Sequence, residues 1–203
     1  MKLIIQVPCL NEAPRIGGVI RGLPRVLPGI SEVEVLVIDD GSTDLTAQAA
    51  VDAGVDHLIR FPQNRGLSVA FQTGLREALR AGADIVVNTD ADDQYDASSI
   101  PDLVAPILAG EADIVVGDRL PHENPEFSWV KRKLQRLGTR VVELAGARGA
   151  LDATSGFRAY TREAALDLIV VNRYTYTIES TIQAGLSPLR MVWVPVRTNS
   201  KTR

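Results

Sequence analysis

The sequence predicts an α/β fold with a mostly parallel central sheet and helices on both faces. Three observations carry this. Over residues 1–120, short apolar runs rich in Ile and Val alternate with helix-period patterns. The runs lack strict polar alternation, as expected of strands buried on both faces. Repeated strand–helix–strand units with short links imply strands that run parallel.

Taken in order, the strands are read at Leu3–Val7, Val35–Ile38, His57–Phe61, Ile85–Asn88 and Ile114–Val116. The helices between them have recognisable ends. Pro14 suits the first turn of the first helix. Ser42 or Thr43 is expected to cap the second, and Gly82 to close the third after Leu75-Arg-Glu-Ala-Leu-Arg. Ser99 is expected to cap the fourth, with Pro101 in its first turn and Gly110 past its end. No internal repeat or low-complexity segment is present.

A chain of 203 residues with 45% hydrophobic content is enough for one sizeable core, so one domain is expected. A net charge of −3 argues against a dedicated nucleic-acid binder. The single Cys9 excludes an internal disulfide and fits a reducing compartment. No apolar stretch reaches the ~18 residues of a membrane span. The first strand begins at the N-terminus and leaves no room for a signal peptide.

Two acidic clusters follow predicted strands. Asn88-Thr-Asp-Ala-Asp-Asp-Gln-Tyr95 follows the apolar run Ala83 to Val87, and Val37-Ile-Asp-Asp-Gly-Ser-Thr-Asp44 ends an earlier one. Asp90 and Asp92, one small residue apart, can hold a hard divalent cation through oxygen and leave positions for water and a diphosphate. Any single Asp has the plainer reading of a turn or cap residue. Parallel strands, however, place both clusters at one edge of the sheet, where open α/β sheets bind ligands. Other site types lack their signatures. No G-x-G-x-x-G follows the first strand, no G-K-[ST] occurs, and no G-x-S-x-G makes Ser155 a nucleophile. His57 and His122 lack metal-ligand spacing.

Six motifs occur in order: Val7-Pro-Cys-Leu-Asn-Glu12, Val37-Ile-Asp-Asp-Gly-Ser-Thr-Asp44, Asn64-Arg-Gly66 with Ala70 and Gly74, Asp90-Ala-Asp92, Val115-Val-Gly-Asp-Arg119, and Asp152-Ala-Thr-Ser-Gly-Phe-Arg-Ala-Tyr160. Together they resemble family 2 inverting glycosyltransferases over nearly the whole chain, specifically the branch of dolichol-phosphate mannose synthases and polyprenyl-phosphate glycosyltransferases. The resemblance implies a nucleotide-diphospho-sugar transferase fold of the glycosyltransferase A type. Residues 1–120 would be its nucleotide-sugar-binding half and residues 121–203 its acceptor-binding half. The implied nucleotide-binding set is Pro8, Asn11, Glu12, Asp39, Asp40, Ser42, Arg65, Asp90 and Ala91. Within it Asp39 reads the base, and Asp40 and Ser42 lie beside the ribose. Asp90 and Asp92 match the pair that holds Mg2+ or Mn2+, and Gln94 matches a residue completing the metal shell. Arg119 matches a phosphate-contacting arginine, in keeping with the bidentate fork of a guanidinium. Asp118 stands where the family more often has Ser. Asp152 matches an aspartate near the acceptor and donor sugar, so the implied catalytic set is Asp90, Asp92, Arg119 and Asp152. Arg132, or loosely Lys131, matches an acceptor-phosphate position, and Arg158 is a further phosphate candidate. Glu179 matches a recurring carboxylate. Arg197, Lys201 and Arg203 resemble a basic tail that closes over the diphosphate.

The resemblance implies a UDP-sugar or GDP-mannose donor. A hydroxyl acceptor needs a general base, and the enzymes of this family that use one commonly carry a Glu-Asp dipeptide, which is missing here, as is Gln-x-x-Arg-Trp. A phosphate acceptor is already an anion. The expected acceptor is therefore polyprenyl phosphate, with a saccharide hydroxyl as the alternative and a non-catalytic nucleotide-binding module as a second. Between Phe127 and Arg148, Val130, Leu134, Leu137, Val141 and Leu144 form a helical stripe flanked by Lys131, Arg132, Lys133, Arg136, Arg140 and Arg148. Such a face suits anionic lipid headgroups or, equally, a solvated helix packed on the core. Action at the cytoplasmic face of a membrane is expected, with a hydrophobic segment following Arg203 in the natural protein. The oligomeric state is left open.

Overall fold

The computed structural model of the chain describes residues 1–120, 146, 151–172 and 175–199. Apart from Gly146, the helix expected over residues 127–148 lies outside the described residues, and with it Lys131 and Arg132; so do Lys201 and Arg203. The strands are β1 Lys2–Cys9, β2 Glu32–Asp39, β3 His57–Arg60, β4 Ile85–Asn88, β5 Ile114–Asp118, β6 Arg158–Thr161 and β7 Met191–Pro195. The helices are α1 Ala13–Gly22, α2 Thr46–Asp52, α3 Leu67–Arg80, α4 Ile100–Leu108, α5 Arg162–Asp167 and α6 Thr177–Leu186.

One mixed sheet has the order β3-β2-β1-β4-β6-β5-β7. The β1–β2 pairing runs from Lys2 opposite Glu32 to Cys9 opposite Asp39. Every pairing is parallel except those of β6, which lies antiparallel between β4 and β5. The fourth and fifth expected strands are therefore separated by a strand absent from the sequence-based reading. Topology makes this insertion matter. β6 starts where its neighbours end, Arg158 lying opposite Asn88 and Val116, so the turn before it reaches the carboxyl edge. β7 is parallel to β5 and delivers its following segment to the same edge.

Both sheet faces are covered. Leu3, Ile5, Val7, Val35 and Val37 meet Ile16 and Ile20 of α1, Ala50 of α2 and Leu103 of α4. On the other face, Ile4, Leu36 and Ile38 meet Phe71 and Leu75 of α3, Ala164 of α5 and Ala184 of α6. Successive strand side chains alternate faces yet both sets are buried, which explains the unbroken apolar runs. Each large aliphatic so buried contributes roughly 1.5–3 kcal/mol. Gly74 brings α3 onto the sheet: a Cβ there would sit 2.2 Å from Gln6 Oε1 and 2.7 Å from Ile38 Cδ1.

Helix ends agree with the sequence at Pro14, Pro101, Gly82 and Gly110; the two glycines have φ +86° and +70°. The expected cap of the second helix is corrected. Neither Ser42 nor Thr43 caps it; Asp44 Oδ1 accepts from Thr46 N at 3.0 Å while Asp44 Oδ2 accepts from Ala13 N at 3.2 Å. Ser99 does occupy the position before α4, but its hydroxyl accepts from Arg197 N at 3.1 Å instead of capping the helix.

Candidate active site

The carboxyl edge carries the candidate site, built first from the loops after β1 and β2. Asn11 holds a left-handed φ of +54°. Its amide N donates to Ser42 Oγ at 2.8 Å, its Oδ1 accepts from Thr43 N at 2.9 Å, and Glu12 N donates to Thr46 Oγ1 at 2.8 Å. Thus Asn11, Glu12 and Ser42 tie the two loops together. Asp40, also buried, accepts from Arg65 N at 2.7 Å and Gly66 N at 3.0 Å, fixing the start of α3. At Gly41, φ is +78° and a Cβ would fall 2.4 Å from the Gln63 carbonyl carbon, so only glycine lets these loops cross. Arg65 lies over the Phe61 ring at 5.2 Å.

Asp39 differs from Asp40. It is fully buried, and Oδ1 accepts from Ser42 N at 2.8 Å. Oδ2 faces Arg60 Nε at 3.2 Å without an aligned hydrogen bond, leaving an acceptor to be filled. Nearby, Pro8, Cys9, Leu10, Asp40, Asn64 and Leu67 line a recess of about 150 Å³.

After β4, Asp90 is half-buried, Ala91 buried and Asp92 exposed. Asp92 Oδ1 accepts from Gln94 N at 3.0 Å. Burial, and then the charge of Asp92, push the Asp90 carboxyl up to about 6, against the pull of Arg119. The wall behind Asp90 is Gly156, where a Cβ would be 3.0 Å from both Asp90 Oδ1 and Tyr176 Oη. Gly156 is held from both sides. Its N–H donates to Tyr95 Oη at 3.0 Å, and its carbonyl accepts from Asn88 Nδ2 at 2.8 Å and Tyr176 Oη at 3.2 Å. Gln6 Nε2 fixes Asn88 in turn at 2.9 Å. This network was missed from the sequence, although Asn88, a polar residue closing an otherwise apolar strand, was its one visible trace.

Across from Asp90, Arg119 and Asp152 form a bidentate pair, Nε to Oδ2 at 2.6 Å and Nη2 to Oδ1 at 2.9 Å. Thr154 Oγ1 accepts from Arg119 Nη2 and donates to Asp152. Burial alone pushes the Asp152 carboxyl up, but the hydrogen bond and charge of Arg119 outweigh it and hold Asp152 below the ordinary carboxylate range. Burial likewise works against the charge on Arg119, and the bonds to Asp152 override it, keeping the guanidinium protonated.

Two expectations change. Arg158 is corrected as a phosphate candidate. It is fully buried, and its guanidinium donates to Ser155 O at 2.7 Å, Ser180 Oγ at 3.0 Å and Ala153 O at 2.8 Å, so it builds the Asp152–Gly156 turn from within. Glu179 is a clamp, accepting from Val171 N and Asn172 N at 2.9 Å each. The Arg197 side chain is exposed at the edge, and Asp118 Oδ1 accepts from Leu120 N at 2.9 Å.

The donor set fits a hard divalent cation. Asp90 takes no hydrogen bond from a described residue, Asp92 has one oxygen engaged, and the Gln94 side chain is uncommitted. No cluster of three or more His, Cys, Asp or Glu exists among the described residues, so water and ligand oxygens would complete the shell.

Known proteins resemble this chain in sequence and in fold. The chain is 28% identical over 211 residues to an undecaprenyl-phosphate mannosyltransferase of Micrococcus luteus, covering 97% of this chain and 83% of that protein. It is 29% identical over 215 residues to a UDP-N-acetylglucosamine–dolichyl-phosphate N-acetylglucosaminyltransferase of Methanococcus voltae, covering 95% and 83%. Among solved structures, glucosyl-3-phosphoglycerate synthase from Mycobacterium tuberculosis, in complex with Mn2+, UDP-glucose and phosphoglyceric acid, superposes with a TM-score of 0.75 at 24% identity. That match covers all of this chain and 72% of the other, and shows a shared fold of the glycosyltransferase A type. The family model for glycosyl transferase family 2 matches residues 4–169, so the chain belongs to that family and is a glycosyltransferase.

Proposed function

We propose that the protein transfers a sugar from a nucleotide-diphosphate donor to a polyprenyl phosphate, with inversion at the anomeric carbon. The observation that carries the acceptor assignment is the Arg119–Asp152 pair. An attacking hydroxyl needs a base, and the carboxylate across from Asp90 is a poor one, because four hydrogen bonds and a full positive charge already satisfy it. An acceptor phosphate needs no base and seeks a cation. The bidentate contact leaves Arg119 Nη1 without a hydrogen-bond partner among the described residues. The relatives that transfer sugars to undecaprenyl and dolichyl phosphate support the same reading.

On this reading residues 1–120 bind the donor. Asp39, with its unfilled buried acceptor, meets a base N–H, and the loops tied by Asn11, Ser42 and Asp40 hold the nucleoside. Asp90, Asp92 and Gln94 hold Mg2+ or Mn2+, which when bound supplies positive charge to the diphosphate as it departs. Arg119, kept in place by Asp152, orients the acceptor phosphate opposite the leaving group, and Arg132 assists. A polyprenyl phosphate acceptor is met at a membrane surface, on the cytoplasmic face where nucleotide sugars are supplied; no described helix is long and apolar enough to cross a membrane. Incubation with radiolabelled UDP- and GDP-sugars and either polyprenyl phosphate or soluble glycans, followed by organic extraction, tests the assignment. Label in the lipid phase is expected; label confined to glycans would replace lipid phosphate with a hydroxyl acceptor.

A further inference from the structure

The segment after β7 does more than leave the sheet. Val196 is buried, Arg197 N donates to Ser99 Oγ at 3.1 Å, and Asp96 N donates to Arg197 O at 3.2 Å. Thr198 then pairs antiparallel with Tyr95. Next comes Asn199, exposed to solvent and lying between the tail residues Arg197 and Lys201 without having been given a role of its own. Its backbone N–H donates to Gln94 O at 2.9 Å. Its side-chain amide donates to Asp93 O at 3.0 Å, Asp93 Oδ1 at 3.2 Å and Tyr95 O at 3.4 Å. One residue thus holds three consecutive carbonyls of the loop that follows Asp92.

That loop needs holding. Asp93 has a φ of +62°, a left-handed conformation that costs a non-glycine residue free energy. Asp92 is exposed and its orientation depends on the Gln94 N–H, which lies beyond the left-handed residue. Without the bonds from Asn199, Asp93 would relax and both Asp92 and Gln94 would turn. Side chains that hold metal ligands in orientation typically change metal affinity ~10–100-fold when removed.

We propose that Asn199 is a positioning residue for the metal pair, fixing Asp92 and Gln94 through the left-handed turn at Asp93. The proposal rests on the metal reading above, and the test separates the two. Mn2+ is titrated into the full chain and free Mn2+ is followed by electron paramagnetic resonance, without nucleotide and with a nucleoside diphosphate. The proteins are wild type, Asn199→Ala, Asp93→Gly, the double variant, and Asp92→Asn as reference. Amide hydrogen exchange at residues 93–95 is measured in metal-free protein. Asn199→Ala is expected to bind Mn2+ ~10-fold more weakly, with faster exchange at 93–95 and a melting temperature within ~2 °C of wild type, since the site is exposed. Glycine adopts the left-handed turn freely, so the Asn199→Ala penalty should shrink in the Asp93→Gly background. Mn2+ binding by wild type that Asn199→Ala leaves unchanged would overturn the proposal, as would a penalty equally large in both backgrounds. If wild type binds no Mn2+ under either condition, the metal reading itself fails and takes the proposal with it.

Discussion

Asp152 illustrates how a residue's partner decides its chemistry. In sequence the family resemblance alone marks it as a site residue and gives it no proton-transfer role; in the structure it is the acceptor half of a buried bidentate pair. Replacing it with Asn keeps the shape and removes the charge, so Arg119 should lose orientation. We expect Asp152→Asn to lower kcat/KM ~100-fold, mainly through acceptor KM, and to leave the acid limb of the pH–rate profile where it was. Loss of that limb would make Asp152 a general base and return the hydroxyl acceptor to favour. Asp39 makes a different prediction, since base recognition is shared by ground and transition states. Asp39→Ala should weaken nucleoside diphosphate binding ~10-fold or more in calorimetry, the scale of one charge-assisted hydrogen bond. A fall in kcat with binding intact would contradict this. Asp92→Asn should nearly abolish turnover and Mn2+ binding while the circular dichroism spectrum is unchanged, because the residue sits on an exposed loop.

At the scale of elements, the strands buried on both faces were legible because Ile, Val, Leu and Ala make up most of their residues, Gln6 and Asn88 being buried exceptions. β6 was not. Its four residues, Arg158 to Thr161, include a guanidinium buried at 0% exposure, and no periodicity announces a charged residue whose hydrogen bonds are all supplied by its own turn and by Ser180. The acidic clusters were legible for a related reason: parallel strands that end together put their following loops together. The turn before β6 reaches the same edge through an antiparallel insertion, which sequence spacing cannot reveal, so Tyr95, Asn88 and Tyr176 around Gly156 went unread. The helix cap misread at Ser42 has a local cause, since that hydroxyl is taken by Asn11 from another loop. Gly74 belongs to this scale as well. Gly74→Ala inserts a methyl against Gln6 and Ile38, a buried overpacking worth ~1–3 kcal/mol. A fall in melting temperature of roughly 3–10 °C is expected, with the Mn2+ affinity of the folded protein unchanged; an unaltered melting curve would mean that α3 does not approach the sheet this closely.

For the whole molecule, the same edge that assembles a site also stores an electrostatic cost, and stability against pH should report it. Asp90 is raised from 3.8 to about 6 by burial and by Asp92, so between about pH 4 and pH 6 the folded chain binds a proton that the unfolded chain does not. Stability from this group is therefore fully present below the unfolded value and is lost as pH rises through the folded one. Asp152 and Asp113 are shifted the other way, each against the opposing effect of burial: hydrogen bonds and charge from Arg119 lower the first, and those of Arg190 lower the second. Their contribution is present above the unfolded carboxylate value and is lost as pH falls below it. The metal-free protein should accordingly gain a few °C in melting temperature, at roughly the scale of 1 kcal/mol, on going from pH 7.5 to about 5, then lose stability below about pH 4. On the proposed metal reading, a divalent cation at Asp90 and Asp92 would replace the missing proton. With saturating Mn2+ the gain between pH 7.5 and 5 should vanish and reverse, because protons now compete with bound metal. Calorimetric scans across that range, with and without Mn2+ and for both wild type and Asp90→Asn, distinguish this account from general acid lability. Asp90→Asn should be the more stable protein at pH 7.5 without metal and should show neither the gain nor its reversal; a wild-type curve already flat without metal would mean that Asp90 carries no such cost.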